Sequence, residues 1–393
     1  MAISKISANM IDGSMTSSLV TGSLPVVDGS ALLNAVSGID TETTSDPLIT
    51  TNPSGGVGTL WLNTATGELF NCSIATTDAN VWVNIGSGFG NYGKSFGGNG
   101  PGTIAGFTAG GEPTGGNVIE KFTFGSANNA VDHGDLSTAS RLKNSGCSSA
   151  THGYSAGGGD ASTDEIIDKF AFSSNVTATR HGSLLVPCLY SRAGAASSVT
   201  HGYVAGGEST AGPATPTNRI EKFSFGTDAA SSDHGDLAFT RSSTGGHSSD
   251  THGFCSNGSA TSPSLTNNID KYSFSSESNA VDHGDLVLAR YGGEGCSSTT
   301  DGYVGGGHIG ASRTNAIDKF AFSSNTTAAS HGTLTVGAAA GMGQSSTTHG
   351  YISGGYTSPV IASIDKFPYA SNSGATDHGD LTVAKRWGAG TQY

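Results

Sequence analysis

The sequence predicts an all-β chain, most of which is built from six copies of one four-stranded unit. The first observation is self-similarity, since related segments repeat every 47 to 53 residues from Gly106 to the C-terminus. The second is composition, because 60 glycines and only 12% charged residues suit short strands and tight turns. The third is that each copy holds four short segments bounded by turn residues. Radial repetition of such a unit predicts a β-propeller.

Three motifs recur in constant order and mark the predicted strands b, c and d, while a Gly/Ser run before strand b marks strand a. T(H/D)G(Y/F) marks strand b and begins at Thr151, Thr200, Thr251, Thr300 and Thr348, after a degenerate first copy from Ala105 to Phe107. I(D/E)KF, with Tyr272 in place of Phe in the fourth copy, marks strand c and begins at Ile119, Ile167, Ile220, Ile269, Ile317 and Ile364. HG(D/S/T)L marks strand d and begins at His133, His181, His234, His283, His331 and His378.

The chain is predicted to contain four regions. Residues 1–45 differ from the repeats and are too few to bury their apolar side chains alone, so we expect an attachment or oligomerisation segment. Residues 46–86 hold a linker and a small three-stranded β meander, and residues 87–102 form a Gly-rich joint. Residues 103–393 form the six-bladed propeller. Its first copy lacks strand a, whereas residues 386–393 are a strand a with nothing after it, so the C-terminal strand is expected to close the ring.

Composition argues against several classes of function. The net charge of −13 comes without a Lys/Arg cluster, so no nucleic-acid partner is expected. The five cysteines are scattered singly and suggest neither a zinc site nor a disulfide framework. No apolar run is long enough for a signal peptide or a transmembrane helix.

The repeated polar residues are interpreted as structural. Ten of the twelve histidines lie in the repeated motifs, where they are expected to satisfy turn hydrogen bonds; a ring of metal sites is the weaker alternative. No metal and no cofactor is therefore predicted. Arginine recurs at the predicted start of strand a, and two roles remain open: attracting an anion at the mouth of a central channel, or bonding to carbonyls of a neighbouring blade. These arginines are Arg141, Arg192, Arg241, Arg290 and Arg386, with Ala338 as the exception.

The connections from strand b to strand c differ in length and chemistry from copy to copy. In a propeller they share one face with the d-to-a connections, and we name this the variable-loop face. Because loops on a rigid scaffold carry specificity, this face is the predicted binding surface, and short polar groups beside a tyrosine suit a sugar. The candidate ligand-binding residues are Tyr190, Glu208, Arg219, His308, Arg313 and Tyr356.

The repeat resembles two groups of known proteins. Strand b ends in an aromatic residue followed by Gly-Gly, as in Tyr203 with Gly206-Gly207, which resembles kelch-type propellers, although HG(D/S/T)L stands where kelch repeats carry a Trp. THGYVAGG, IDKFAFSS and DHGDLVLAR are similar to repeats in predicted structural proteins of bacteriophages, especially marine phages. GSLPVVDGSALLNA and NPSGGVGTLWLNTATGELF resemble segments near the start of phage tail-fibre proteins.

These resemblances imply a virion appendage, made in the host cytoplasm and displayed outside the cell. Residues 1–45 would join other tail or head proteins, the propeller would bind host surface polysaccharide, and a homotrimer would be ordinary for a fibre. A non-catalytic structural or decorating protein of the virion is the alternative. A glycan hydrolase is less favoured, because the Asp-box SxDxGxTW of six-bladed sialidases is missing and no set of Tyr and His ligands stands out. We therefore expect no enzymatic activity.

Overall fold

The computed structural model describes residues 40–43, 45–63, 68–87, 102–113, 116–139, 141–159, 165–188, 194–209, 215–260 and 264–393. The chain divides into two compact units, residues 1–90 and 91–393. Every regular element in the described ranges is a β-strand, so the prediction of an all-β chain is confirmed. Most of the predicted attachment segment and of the Gly-rich joint lies outside the described residues.

The smaller unit is one sheet of four strands, in the order β1-β2-β3-β4. The strands are β1 (Thr41–Thr43), β2 (Leu60–Asn63), β3 (Glu68–Ile74) and β4 (Val81–Ser87). The predicted three-stranded meander is present as β2, β3 and β4, and the structure adds β1, which pairs in parallel with β2. Leu60 N donates to Asp40 Oδ2 over 2.7 Å and Trp61 Nε1 donates to Ser45 O over 2.8 Å, which hold β1 in place. The predicted boundary at residue 45 thus cuts through the sheet.

The larger unit contains six small antiparallel sheets, each with the predicted strand order a, b, c, d. The first sheet contains β5 (Ala105–Ala109), β6 (Val118–Thr123) and β7 (Val131–Asp135). The second contains β8 (Ser145–Ser148), β9 (His152–Ala156), β10 (Ile166–Ala171) and β11 (Thr179–Ser183). The third contains β12 (Gly194–Ser197), β13 (His201–Ala205), β14 (Glu208–Ser209), β15 (Thr215–Ser224) and β16 (Ser232–Arg241).

The remaining sheets follow the same order. The fourth contains β17 (Gly245–Ser248), β18 (His252–Ser256), β19 (Thr266–Ser273) and β20 (Val281–Arg290). The fifth contains β21 (Glu294–Ser297), β22 (Asp301–Gly305), β25 (Ala316–Ala321) and β26 (Ala329–Thr333), and its b-to-c connection forms a hairpin of β23 (His308–Ile309) and β24 (Ser312–Arg313). The sixth contains β27 (Met342–Ser345), β28 (His349–Tyr356), β29 (Val360–Pro368) and β30 (Thr376–Asp380). The last strand, β31 (Ala389–Gln392), pairs with β5 and completes the first sheet, as the sequence predicted.

Apolar side chains fill the spaces between neighbouring sheets. In each copy the aromatic side chain of strand b packs on the aromatic residue that follows strand c in the next sheet. Tyr303 of the fifth sheet stacks on Tyr369 of the sixth at 4.5 Å between ring centroids. Tyr351 of the sixth sheet stacks in the same way on Phe124 of the first, at 4.7 Å. Because each such side chain stabilises the fold by roughly 1.5 to 3 kcal/mol when buried, these interfaces form the main core.

The acid of the I(D/E)KF motif links each sheet to the one before it. Its carboxylate accepts the backbone N–H of a residue that follows the HG(D/S/T)L motif of the preceding sheet. Ala238 N, for example, donates to Asp270 Oδ2 over 2.9 Å. The other five pairs are Ser137 with Asp168, Leu185 with Glu221, Val287 with Asp318, Thr335 with Asp365, and Thr382 with Glu120. The last pair joins the sixth sheet to the first.

The histidine of HG(D/S/T)L makes a second link in the same direction. Its Nε2 lies 2.7 to 2.9 Å from a carbonyl oxygen at the end of strand c in the next sheet. The carbonyls belong to Ala171, Ser224, Ser273, Ala321, Pro368 and Thr123. These histidines are therefore structural, as expected, but they join neighbouring sheets instead of capping turns. Six sheets that contact one another in cyclic order make a β-propeller-like arrangement.

Candidate binding site

Three of the repeated arginines are wholly buried. Arg141, Arg241 and Arg290 have no exposed surface. Arg241 and Arg290 end strand d, so they do not open strand a as predicted. Each guanidinium donates to two backbone carbonyls of the sheet that follows it, which for Arg290 are those of Gly306 and Ala316. The proposed place at a channel mouth is therefore wrong for these three, and carbonyl bonding, the second interpretation, is what the structure contains.

The same guanidinium groups pair with the acid of the I(D/E)KF motif. Arg241 Nη2 lies 2.5 Å from Asp270 Oδ2, and Arg290 forms the equivalent pair with Asp318. Arg141 Nε is 3.9 Å from Asp168 Oδ2, and burial is the main cause that lowers the pKa of Arg141. Each arginine thus neutralises the carboxylate that links two sheets.

The position assigned to Arg386 belongs instead to Lys385. Lys385 is buried and pairs with Glu120, the acid of the first sheet. Burial lowers the pKa of Lys385, and the Glu120 carboxylate opposes that shift. Counting from the HG motif gives the reason, because Lys385 follows His378 by the same number of residues as Arg290 follows His283. Arg386 is therefore displaced by one residue and points to different partners.

Arg386 belongs to a cluster on the variable-loop face that also contains Arg313 and Tyr356. The guanidinium carbons of Arg313 and Arg386 lie 4.3 and 4.5 Å from the centroid of the Tyr356 ring, within the range of cation–π attraction. Glu112 Oε1 is 3.7 Å from Arg386 Nε and 3.9 Å from Lys143 Nζ. We call these five residues the Tyr356 cluster. All are partly exposed; the cluster holds three cations and one carboxylate, which pairs with two of them.

Backbone pairing holds the Tyr356 cluster in place. Tyr356 N donates to Ala339 O over 2.8 Å. Glu112 and Arg386 exchange two backbone hydrogen bonds of 2.9 Å each. Arg313 lies in the hairpin β23–β24 of the fifth sheet, and its Nη1 donates to Thr357 O over 3.0 Å. The cluster is thus assembled from the fifth, sixth and first sheets.

His308 adjoins the cluster. Its ring stacks on Tyr291 at 4.6 Å with an interplanar angle of 12°. Burial lowers the pKa of His308, and the positive charges of Arg313 and Arg386 lower it further. The imidazole is therefore uncharged at neutral pH and offers one donor and one acceptor. Four residues that the sequence predicted separately, His308, Arg313, Tyr356 and Arg386, come together here.

The other predicted residues do not join the cluster. Glu208 and Arg219 belong to the third sheet, two places from both the first and the fifth in the cyclic order. Glu208 accepts a hydrogen bond of 2.9 Å from Ser242 Oγ, and Arg219 Nε lies 3.7 Å from Glu221 Oε1. The cavity beside Arg219 measures about 10 Å³, too small for a ligand. Tyr190 and Arg192 lie outside the described residues.

The inner strands surround a narrow polar cavity of about 50 Å³, lined largely by the glycine backbone of strands a. No arginine is among its described lining residues. Lys143, Glu294 and Trp387 lie at its mouth on the variable-loop face. Although part of Glu294 stays accessible, the surrounding strands bury its carboxylate, and this raises the pKa of Glu294 well above its usual range.

Sequence reasoning missed four residues of this region: Glu112, Lys143, Tyr291 and Trp387. All four lie in b-to-c or d-to-a connections, and none recurs in every copy, although Glu112 has a counterpart in Glu208 of the third copy. Aligning the six copies residue by residue would have marked them, because charged or aromatic residues that break the repeat are the signal.

The described residues hold no group of three or more His, Cys, Asp and Glu side chains that could bind a metal ion. Helices long and apolar enough to cross a membrane are likewise lacking in that part of the chain.

Fold and site together define a β-propeller-like protein with a basic, aromatic cluster on one face. No protein-family model matches the sequence, and no curated protein matches it. Among solved structures the chain is similar to one titled "Structure of YjhT", with a TM-score of 0.53 and 12% sequence identity. The match covers 64% of this chain and 87% of that chain. At this identity the similarity concerns the fold alone.

Proposed function

We propose that this chain is a bacteriophage virion appendage protein that binds cell-surface glycan through its variable-loop face, without covalent chemistry. The observation that carries the proposal is the Tyr356 cluster. Its members come from connections that differ between copies, yet the repeated scaffold brings them to one place. Non-repeated polar and aromatic side chains on a rigid repeated frame are typical of recognition surfaces.

We infer further that the six sheets are the blades of one kelch-like propeller closed by β31. In support, the carboxylate links and the histidine links both run from each sheet to the next, and from the sixth back to the first. Because these links lie between the blades, the connections on the variable-loop face are free to vary in sequence. Residues 1–45 would attach the chain to other virion proteins as a homotrimer, outside the cell.

The alternative is a structural or decorating protein of the virion whose variable-loop face is covered by another virion protein. The two functions differ in what the face touches. In the first function the variable-loop face is exposed to solvent and binds a saccharide. In the second it is buried against another protein in the assembled particle. The partly exposed arginines favour the first, because a permanently buried interface core is depleted of charged residues.

The proposal is tested by binding of the full-length protein to a panel of bacteria and to their extracted surface polysaccharides. The comparison variant replaces residues 309 to 312 and 357 to 359, the exposed stretches beside Arg313 and Tyr356, with Gly-Ser of equal length. A matched control replaces residues 275 to 277, an exposed c-to-d turn on the opposite face. We expect saturable binding that the first variant loses and the control keeps.

Two results would contradict the proposal. One is that folded, oligomeric protein binds no member of the panel, in which case the structural alternative takes its place. The other is that both variants bind as well as the parent protein, which would move recognition away from the variable-loop face.

A further inference from the structure

The Tyr356 cluster is unusual in its charge. The chain carries a net charge of −13, yet the cluster sets Arg313, Arg386 and Lys143 against a single carboxylate, Glu112. His308 beside it is uncharged at neutral pH, for the reasons given above. A local excess of positive charge in an acidic protein attracts anions to that place and repels them elsewhere.

The two arginines still have donors to offer. Arg386 contacts Glu112 at 3.7 Å, longer than a hydrogen bond; its Nε is buried, and its Nη1 and Nη2 make no hydrogen bond within the described part of the chain. Arg313 uses only Nη1, toward Thr357 O, among the described residues. A guanidinium presents paired N–H donors that match the two oxygens of a carboxylate. Both arginines therefore have capacity for a bidentate anionic group.

The Tyr356 ring fixes these donors in place. The guanidinium groups of Arg313 and Arg386 lie over the ring, and Arg386 is also held by paired backbone. Little conformational freedom is lost when such a preformed site binds its ligand. Two cations fixed on one ring suit an anionic group with two oxygens, and a carboxylate-bearing sugar supplies such a group.

We propose that Arg313, Arg386 and Tyr356 form a subsite for the carboxylate-bearing sugar units of an acidic polysaccharide. This inference rests on the proposed glycan recognition and names its ligand class. The carboxylate is bound by the guanidinium donors, Tyr356 holds the two arginines in position, and His308 hydrogen-bonds to hydroxyl groups of the sugar. Lys143 and Glu112 fix the orientation of Arg386.

The experiment uses the full-length protein and three uronate-containing polysaccharides: polygalacturonate, alginate and hyaluronan. Each is paired with its carboxyl-reduced counterpart, which keeps the sugar sequence and loses the charge. The variants are Arg313→Gln, Arg386→Gln and Arg386→Lys. Arg180→Gln is the matched control, because Arg180 is an exposed arginine of the second sheet, outside the cluster, that pairs with Glu165. Thermal unfolding verifies that each variant is folded.

We expect an acidic polymer to bind at least about tenfold more tightly than its reduced counterpart, since charge-assisted hydrogen bonds are lost on reduction. Arg313→Gln and Arg386→Gln are each expected to weaken binding by about tenfold or more, and Arg180→Gln by less than about twofold. Arg386→Lys keeps the charge but loses the paired donors, so its effect should be intermediate. Higher salt should weaken binding of the acidic polymers only.

The outcomes separate the inference from the function on which it rests. Equal binding of acidic and reduced polymers would overturn the carboxylate subsite and leave glycan recognition standing. Acidic binding that Arg313→Gln and Arg386→Gln leave unchanged would overturn the assignment to these residues. If no polymer binds in either form, and the bacterial panel is also negative, glycan recognition fails and the subsite fails with it.

Discussion

The joint between the fourth and fifth sheets differs from the joint between the fifth and sixth in one partner. At the first, Asp318 accepts the N–H of Val287 and also pairs with the buried Arg290. At the second, Asp365 accepts the N–H and the hydroxyl of Thr335, while Ala338 stands at the position of the arginine. Burial raises the pKa of Asp365, and the Thr335 hydrogen bonds oppose that shift. The acid is thus the constant link, and the cation is one of two ways to stabilise it.

The largest expected effect comes from removing the acid at each joint in turn. Asp318→Ala leaves the Arg290 guanidinium buried without a counter-charge and should lower the free energy of unfolding by about 3 to 5 kcal/mol. Asp365→Ala leaves the N–H and hydroxyl of Thr335 without their acceptor, and it should lower the free energy of unfolding by about 1 to 3 kcal/mol. Urea unfolding of the two variants measures both values. Equal losses of unfolding free energy in the two variants would mean that leaving Arg290 buried without its counter-charge does not destabilise the protein further.

A second test uses a titratable side chain at the first of these joints. His247 of strand β17 is fully buried, and its Nδ1 lies 3.0 Å from Cys296 O of the fifth sheet. Burial lowers the pKa of His247 from 6.5 to about 4. The folded state therefore resists protonation, so this group's contribution is fully present above pH 6.5 and is lost as the pH falls toward 4.

At the equivalent place in the sixth sheet stands Gln344, whose Nε2 donates to Phe107 O of the first sheet. His247→Gln should therefore keep the link and remove its pH dependence. The parent protein is expected to lose roughly 3 kcal/mol more than the variant between pH 6.5 and 4. The other histidines are the same in both proteins, so the difference isolates His247. If the free energy of unfolding changes equally in both proteins between pH 6.5 and 4, His247 is not held in its neutral form.

The smallest expected effect concerns packing within a sheet. Gly302 of strand b lies opposite Phe320 of strand c, and an added Cβ would stand 2.3 Å from that ring. Gly302→Ala forces the ring to move and should cost about 1 to 3 kcal/mol. Gly125→Ala is the control, since nothing lies within 4 Å of its added Cβ. Thermal unfolding compares the two variants. If Gly302→Ala is as stable as Gly125→Ala, the contact between Gly302 and the Phe320 ring does not contribute to the stability of this sheet.

The repeats made the fold predictable, whereas the partners of single side chains were not. Periodic motifs fix which segments are strands, so the four strands per copy and the pairing of β31 with β5 follow from sequence spacing. The Arg290 pair with Asp318 joins residues far apart in sequence, and nothing local distinguishes a buried arginine from one at a channel mouth. One residue of misalignment was enough to exchange Lys385 for Arg386.

The site was predictable as a face but not as a cluster. Variation among the b-to-c connections singled out Arg313 and Tyr356, because a residue that breaks a repeat is not needed by the repeat. Their contact with Arg386 depends on which sheets are neighbours and on the hairpin β23–β24 of the fifth sheet. Glu112 and Lys143 belong to the Tyr356 cluster for the same reason, because the packing of neighbouring sheets brings Glu112 close to both Arg386 and Lys143.

The pairing of β31 with β5 has a consequence for how the chain is made. A ribosome produces residues 105 to 109 before the other five sheets and residues 389 to 392 after them, so the first sheet stays incomplete while the other five are synthesised. During that interval the edge of β5 has no partner from its own chain and is open to strands of neighbouring molecules. Slow synthesis or crowding of nascent chains should therefore favour exchange of this strand between copies until β31 has been made.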